Sequence, residues 1–524
     1  MTEIPAADIL KSLPQSIGDV IKPWADRSPD RMALVETSGS WTYRQLNDAV
    51  ERATAWLQDS GVRPGDRVML VCDNCRPFIA IFLALTGMDA WPVLANARLS
   101  AREIDDIRDH SGARRVIYMT SVSPQATQHA KRHGAIIGEQ AGLGPIGFGP
   151  LNEKVEPEPI DRDGAHRVAA LIYTSGTTGL PKGVVLTHRN LLFIAAVSAQ
   201  IRSLTQDDRL YGVLPMSHAV GLSVVLLGSL LSGATLYLAP RFDPVAALAA
   251  LERDRLTIVL GVPAMFALLV DYAKTKGLRG PLKFPALRII SSSGAPLQLP
   301  VKLAVEELLG MTLHNGYGVT ECSPTIAQAR VDEPRMDLSV GRVLPGVEVK
   351  IVGTDGNHVG EGEVGELSVR GPNIAKGYYR APEETAAAIN SEGWFNTRDL
   401  ARLEGGHLFI VGRTKELIVR FGENVYPAEV EAVLNAHPAV VRSAVIGRSV
   451  QGVEGGEEVV AFVQPSPGSA LSVAEIMEHA ARNLAPYKRP SQILLIAEIP
   501  LTPTGKAKKD ELAKMAAVSP AQPQ

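Results

Sequence analysis

The chain has 524 residues, 45% of them hydrophobic and 21% charged, with a net charge of −3. That length allows about three to four domain-sized units, and the near-neutral balance argues against nucleic-acid or membrane-surface binding by bulk electrostatics. Three cysteines cannot build a disulfide framework, so a cytoplasmic location is expected.

Neither terminal stretch carries a targeting pattern: MTEIPAADILKS has no basic n-region, and Pro520–Gln524 has no lipidation or peroxisomal signal. Ala33-Leu-Val-Glu and Ser40-Trp-Thr-Tyr read as a hairpin. Thr42 then caps a helix whose buried face is Leu46, Ala49, Ala53 and Leu57. Gly65–Cys72 reads as turn then strand, Asn74 as the start of a helix through Phe78, Phe82 and Leu85, and Trp91–Ala95 as a buried strand. Cys72-Asp-Asn-Cys75 is two small residues at a strand-to-helix turn, or a redox pair. A zinc site lacks its second ligand pair, since only Cys322 remains. Residues 140–165 are rich in Gly, Pro, Glu and Asp and read as a surface connector or a subdomain break.

A buried strand, Val168–Ile172, runs into Tyr173-Thr-Ser-Gly-Thr-Thr-Gly-Leu-Pro-Lys-Gly183. Glycines let backbone N–H groups close on an anion, hydroxyls add donors, and Lys182 adds a point charge. The Walker pattern does not fit: Pro181 stands five residues after Gly176, and Val184 five after Gly179. This is a phosphate loop of another kind. Ala219–Pro240 carries no charge and is long enough to span a bilayer, but Ser232-Gly233 divides it, so helix, turn and strand in a core are expected. Strands at Tyr211–Leu214, Ala234–Leu238, Thr257–Val262 and Ala286–Ser291 alternate with helices, which implies parallel sheet. Leu214–Gly221, Gly261–Phe266 and Ser291–Pro296 fall at or after strand ends, where such sheets bind ligands. Residues 340–412 change to short strands with Gly turns, a β-rich unit. The last hundred residues form a separate small domain, with helices at Pro427–Ala436 and Val473–Leu484 and strands at Val440–Ile446 and Glu457–Gln464.

Four further stretches carry chemistry-capable residues: His314-Asn-Gly-Tyr-Gly-Val-Thr-Glu-Cys322, Gly393-Trp-Phe-Asn-Thr-Arg-Asp-Leu400, Gly412–Pro427, and Pro500-Leu-Thr-Pro-Thr-Gly-Lys-Ala-Lys-Lys509. In this order, with the phosphate loop, they resemble the AMP-forming adenylate-forming superfamily of acyl-CoA and aryl-CoA synthetases, amino-acid adenylation domains and luciferases. The resemblance covers nearly the whole chain. It implies a large α/β N-terminal domain, residues 1–412, of parallel-type subdomains plus the β-rich part at 340–412. A hinge at 413–415 and a small mobile α+β C-terminal domain over 416–524 complete the fold. It implies ATP and coenzyme A as co-substrates and Mg²⁺ as cofactor.

The roles that follow are those the resemblance implies. Lys506 matches the catalytic lysine that bridges the reacting anions. Glu321 matches the Mg²⁺ acid, with Thr177 also near the metal. Thr174, Ser175, Gly176, Thr177, Thr178, Gly179, Lys182 and Thr320 would hold phosphates. Asp399, assisted by Arg413, would take the ribose hydroxyls. Gly294, Ala295 and Pro296 on one side and Asn315, Gly316, Tyr317 and Gly318 on the other would sandwich adenine. Lys415 matches the hinge residue, and Arg420, Phe421, Gly422 and Glu423 would approach the coenzyme A tunnel. The family commonly has Thr-Gly-Asp in the ribose motif, whereas this chain has Thr397-Arg398-Asp399.

Amino-acid adenylation domains usually place an Asp before the pocket loop. Leu214-Pro-Met-Ser-His218 has none, which argues for another acid. His218 matches the carboxylate end of the pocket, with Val220, Gly221, Val262, Met265, Phe266, Gly316 and Ser323 as its walls. These show no obvious cation for a second carboxylate, so a fatty acid or an aryl acid (benzoate- or hydroxycinnamate-like) is expected. The other readings are luciferase-like oxidation of the adenylate and a non-catalytic nucleotide-binding regulator. A homodimer, and a protein acetyltransferase that erases the Lys506 charge, are further expectations.

Overall fold

The computed structural model describes residues 5–161, 163–174, 181–353, 355–420, 423–449, 457–501 and 507–518. Two large sheets organise the N-terminal part. Across the first, the strands run Arg342–Val343, Thr325–Gln328, Leu313–Gly318, Ile289–Ser292, Ile258–Gly261, Arg209–Gly212, Thr235–Leu238, Met32–Glu36 and Gly39–Thr42. The six from Leu313–Gly318 to Met32–Glu36 are mutually parallel, as the strand–helix alternation predicts. Across the second run Gly377–Tyr378, Lys182–Thr187, Val168–Thr174, Trp91–Asn96, Arg67–Cys72, Arg115–Tyr118, Pro145–Phe148 and Ile136–Glu139.

Side-chain alternation along the strands builds the layers. Val68 and Leu70 face a core shared by both sheets, while Met69 and Val71 face an outer cluster with Ile104, Ile107, Ala126 and Ala130. In the first sheet Ile289 points into the shared core, and Ile290 packs under the helices Pro263–Thr275 and Leu299–Leu309. The helix Arg76–Gly87 is buried from Pro77 to Thr86, as its apolar residues on every side require. Each Leu, Ile or Phe buried there contributes about 1.5–3 kcal/mol. Thr42 caps the helix Tyr43–Asp59 in a reciprocal box with Gln45, and Leu46, Ala49, Ala53 and Leu57 are its buried face, as read.

Two local readings change, and the helix–turn–strand expected over Ala219–Pro240 is borne out with one refinement. Residues 140–165 are not simply a connector. Pro145–Phe148 is a strand paired on both sides. The chain beyond it is strapped onto the same sheet by the Glu158 N–H to the Gly65 carbonyl (2.9 Å) and Arg67 Nη1 to the Glu156 carbonyl (2.8 Å). Glycine and proline hid the alternation. The helix after His218 is a π-helix over Val220–Leu227, continuing as Gly228–Ser232. An unbroken apolar run has no face from which to read its period. The helix after Cys72 starts at Arg76, with Cys75 as its cap residue. Cys72 and Cys75 are buried, and burial pushes both thiols up, which suits packing and not redox exchange. Among the described residues no helix is long and apolar enough to cross a membrane.

The β-rich unit is a four-stranded antiparallel sheet of Glu348–Val352, Gly365–Arg370, Phe395–Glu404 and His407–Arg413. The smaller C-terminal domain has a hairpin, Ile418–Arg420 with Glu423–Val425, and a sheet of Val440–Ser449, Glu457–Pro465 and Gln492–Leu495. It carries its own apolar clusters, centred on Val430, Ile476 and Val459 on one face and Val460, Phe462 and Leu512 on the other.

Candidate active site

The strand Val168–Thr174 and the strand Lys182–Thr187 form an antiparallel hairpin, with Thr174 opposite Lys182. The loop residues Ser175, Gly176, Thr177, Thr178 and Gly179 lie outside the described residues. The strand Gly377–Tyr378 pairs with Val184 and Val185 of the same hairpin. Tyr378 thereby reaches across to Glu321, and its hydroxyl donates to Glu321 Oε1 at 2.8 Å. Lys182 Nζ lies 5.3 Å from the centre of the Tyr378 ring. Burial, then the Glu321 charge, push the Tyr378 hydroxyl up, so it remains a donor at neutral pH. Asn190 fixes the approach: it closes a capping box with Thr187 and donates to the carbonyls of Pro372 (2.7 Å) and Ile374 (2.9 Å).

Asp399 is buried at 3% exposure. Arg413 Nε donates to its Oδ1 at 2.9 Å, and the Tyr317 hydroxyl donates to Oδ2. The register of the four-stranded sheet sets Asp399 opposite Arg413, so the expected ribose pair is a cross-strand pair. A carboxylate has about four lone-pair sites, so Asp399 retains acceptor capacity for two hydroxyls. Arg398 sits at φ 60°, in the left-handed region, with its N–H on Asn396 Oδ1 at 2.9 Å. Here a glycine meets no steric penalty, whereas an L side chain costs about 1–2 kcal/mol. That is the physical reason for the glycine that the motif commonly has. Arg398→Gly is expected to raise stability by about 0.5–1 kcal/mol, once the extra chain entropy of glycine is offset, read as a higher urea midpoint. A lower midpoint counts against strain at this residue.

Thr320 and Glu321 lie on a single 3₁₀ turn, Thr320–Cys322, directly after the strand Leu313–Gly318. A Cβ at Gly318 would run into the Pro324 carbonyl, which is why the turn can fold back so tightly. Gly294 has φ 83°, at the turn that follows the strand Ile289–Ser292. Asn315 donates to the Leu338 carbonyl (3.1 Å), so its amide braces the strand beside the Gly316 backbone. His218 lies on the turn before the π-helix, and Leu222 N–H bonds its carbonyl at 2.9 Å. A Cβ at Gly221 would strike the Pro215 carbonyl, so the π-helix closes onto that turn. Val220, Val262, Met265 and Tyr317 are half-buried at the rim of the shared core, and Ser323 is fully buried. Phe266 is set apart: it packs with Leu269, Leu297 and Val305 beneath the sheet.

Residues 21–379 match the AMP-binding enzyme family, and residues 429–506 match the AMP-binding enzyme C-terminal domain. The chain belongs to the AMP-binding enzymes. It is 34% identical over 496 residues to a feruloyl-CoA synthase of Amycolatopsis sp., covering 94% of this chain and 97% of that one. It is 33% identical to 4-coumarate–CoA ligase 3 of Oryza sativa subsp. japonica, covering 93% and 89%. Among solved structures, the o-succinylbenzoate CoA synthetase MenE of Bacillus subtilis, held with its acyl-adenylate intermediate, superposes with a TM-score of 0.80 at 29% identity, covering 94% and 97%. AMP-forming CoA ligases of this family use ATP and coenzyme A with Mg²⁺, and MenE has also been solved with ATP and magnesium.

In this AMP-binding enzyme the strand His407–Arg413 passes directly into the 3₁₀ turn Thr414–Glu416, which presents Lys415 exposed between the two domains. Arg420 Nη1 donates to the Arg489 carbonyl at 2.6 Å, and Glu423 is exposed on the facing strand. Phe421, Gly422 and Lys506 lie outside the described residues. Flanking Lys506, Leu501 and Ala507 pair across an antiparallel bridge, and Lys509 binds Glu416 at 2.7 Å.

Two residues escaped the sequence reading. Asn74, taken as a helix start, donates to the carbonyls of Gly212 and Leu214 (2.9 Å each) and accepts the Met216 N–H (2.9 Å). It braces the turn that carries His218. Tyr378 has no signal of its own, because its contact with Glu321 spans 57 residues of sequence.

Proposed function

We propose that the enzyme is a carboxylate–CoA ligase for an aryl acid of the hydroxycinnamate type. What carries the reading is one conjunction. A chain aligned over 94% of its length with a feruloyl-CoA synthase carries Glu321, Asp399 and Lys506 together, each in the motif expected for its role. In the first half-reaction a carboxylate oxygen attacks the α-phosphorus of ATP. The new O–P bond replaces the bond to the β-phosphate, and pyrophosphate leaves. In the second, the thiol sulfur of coenzyme A attacks the acyl carbon, and AMP leaves.

Bringing two anions together is the physical obstacle, and fixed cations lower it. Lys506 is assigned to the carboxylate and α-phosphate oxygens. Lys182 and the hydroxyls from Thr174 to Thr178 are assigned to the β- and γ-phosphates. Asp399 and Arg413 orient the ribose, and Tyr317 stacks on the adenine. Glu321 offers hard carboxylate oxygens suited to Mg²⁺, with Tyr378 already holding Oε1. When bound, Mg²⁺ neutralises phosphate charge. Rotation of the C-terminal domain about Lys415 would exchange Lys506 for the Arg420–Glu423 face between the two steps.

Two measurements test this. Pyrophosphate release and thioester formation are expected with cinnamates in a panel that also holds benzoates, alkanoates of graded length and amino acids. Activity with alkanoates alone, with amino acids alone, or with none of the panel sinks the proposal. Tyr378→Phe removes one hydrogen bond to a charged group, worth about 1.5–3 kcal/mol at most. It is expected to raise the Mg²⁺ needed for half-maximal adenylate formation by about three- to tenfold. Conversion of preformed acyl-adenylate to thioester should be unchanged. An unaltered Mg²⁺ titration removes Tyr378 from the metal site.

A further inference from the structure

Behind Gly316 lies a buried polar network with a cation at its centre. Arg202 caps the C-terminal end of the helix His188–Ile201 and is 4% exposed. Its guanidinium donates to neutral oxygens, the Ser198 carbonyl at 3.1 Å and Gln328 Oε1 at 2.7 Å. Its Nε finds no hydrogen-bond partner among the described residues. Burial, then the like charge of Arg330, push Arg202 down to about 10, and among the described residues no carboxylate is paired with it. A buried cation held only by neutral groups is costly. The walls expected from sequence include Gly316 and no cation; Arg202 stands one residue behind Gly316, through Gln328.

Arginine only donates, so it fixes the Gln328 amide: Oε1 faces Arg202, and Nε2 faces Ser291 Oγ (3.1 Å) and the Asn315 carbonyl (3.3 Å). Gln328 stands opposite Gly316 in the antiparallel register. A Cβ on Gly316 would lie 2.5 Å from Gln328 Oε1, so this amide oxygen occupies the space of the missing side chain. Two hydrogen-bonding capacities are left unmet here, the Arg202 Nε–H donor and a second lone pair on Gln328 Oε1. A hydroxyl meets both, because it accepts and donates. A carboxylate has no proton for Oε1, and an alkyl chain meets neither.

We infer that Gln328, backed by Arg202 and Ser291, determines specificity at the far end of the acid pocket by binding a phenolic hydroxyl of the aryl acid. This rests on the aryl-acid ligase reading above. The test is kcat/KM for thioester formation with 4-hydroxycinnamate, cinnamate, 4-carboxycinnamate and octanoate. Wild type is expected to favour 4-hydroxycinnamate over cinnamate by about tenfold or more. Gln328→Met should bring that ratio within about threefold by losing rate on the hydroxylated acid alone. Should Gln328→Met fail to fold, Ser291→Ala loosens the amide without uncovering Arg202 and must narrow the same ratio. A wild type indifferent to the hydroxyl, a preference for 4-carboxycinnamate, or a ratio unmoved in the folded variants overturns the inference. Thioester from none of the acids, or from octanoate alone, overturns the aryl-acid reading beneath it and leaves a distinct signature.

Discussion

Replacing Lys506 with alanine is expected to lower adenylate formation by about 10²- to 10³-fold, or about 3–4 kcal/mol of transition-state stabilisation. The size follows from the chemistry. A carboxylate approaching a triphosphate meets like charge, and one compact ammonium on a flexible stem can touch both partners. Conversion of preformed acyl-adenylate to thioester should be nearly unaffected, because that step creates no bond to phosphorus. Lys506→Arg should recover little, since a planar fork does not reproduce a point charge between two oxygens. The assay is pyrophosphate release against thioester formation from supplied adenylate. An equal loss in both half-reactions would remove Lys506 from this role.

Asp399→Ala should carry the next largest effect, a fall of about 10²-fold in kcat/KM for ATP from two lost hydrogen bonds to a charged acceptor. The fold makes the cost larger than a surface carboxylate would suggest. Asp399 is buried, and its loss strands the Tyr317 hydroxyl and the Arg413 guanidinium that it now pairs. The melting temperature should therefore fall with the ATP affinity. Arg413→Ala, which leaves Tyr317 on the carboxylate, should lose less on both counts. If kcat/KM for ATP in Asp399→Ala stays within threefold of wild type, Asp399 does not hold the nucleotide.

Much of the scaffold was legible because it rests on local signals. The capping box at Thr42, the buried strand before the phosphate loop and the Gly-turn strands of 340–412 each announce themselves within a few residues. The strand Pro145–Phe148 did not, since Gly and Pro mask it, and the helix read after Ala219 did not show its π period, since it has no polar face. Cys72-Asp-Asn-Cys75 drew the eye to its thiols. The residue that braces the His218 turn is the Asn74 between them.

The chain alone indicated the reaction, because the groups assigned to ATP sit in contiguous motifs whose spacing survives in one dimension. The phosphate loop, the Glu321 turn, the Asp399 strand and the Lys506 segment are each read without knowing where the others lie. Only the tertiary structure decided how those motifs and the residues around them are braced. Tyr378 on Glu321, Asn74 on the His218 turn, and Arg202 on Gln328 join positions 57, 142 and 126 residues apart. Each is an ordinary residue in sequence. Burial makes these contacts decisive, since a hydrogen bond or an uncompensated charge counts for more where water is excluded.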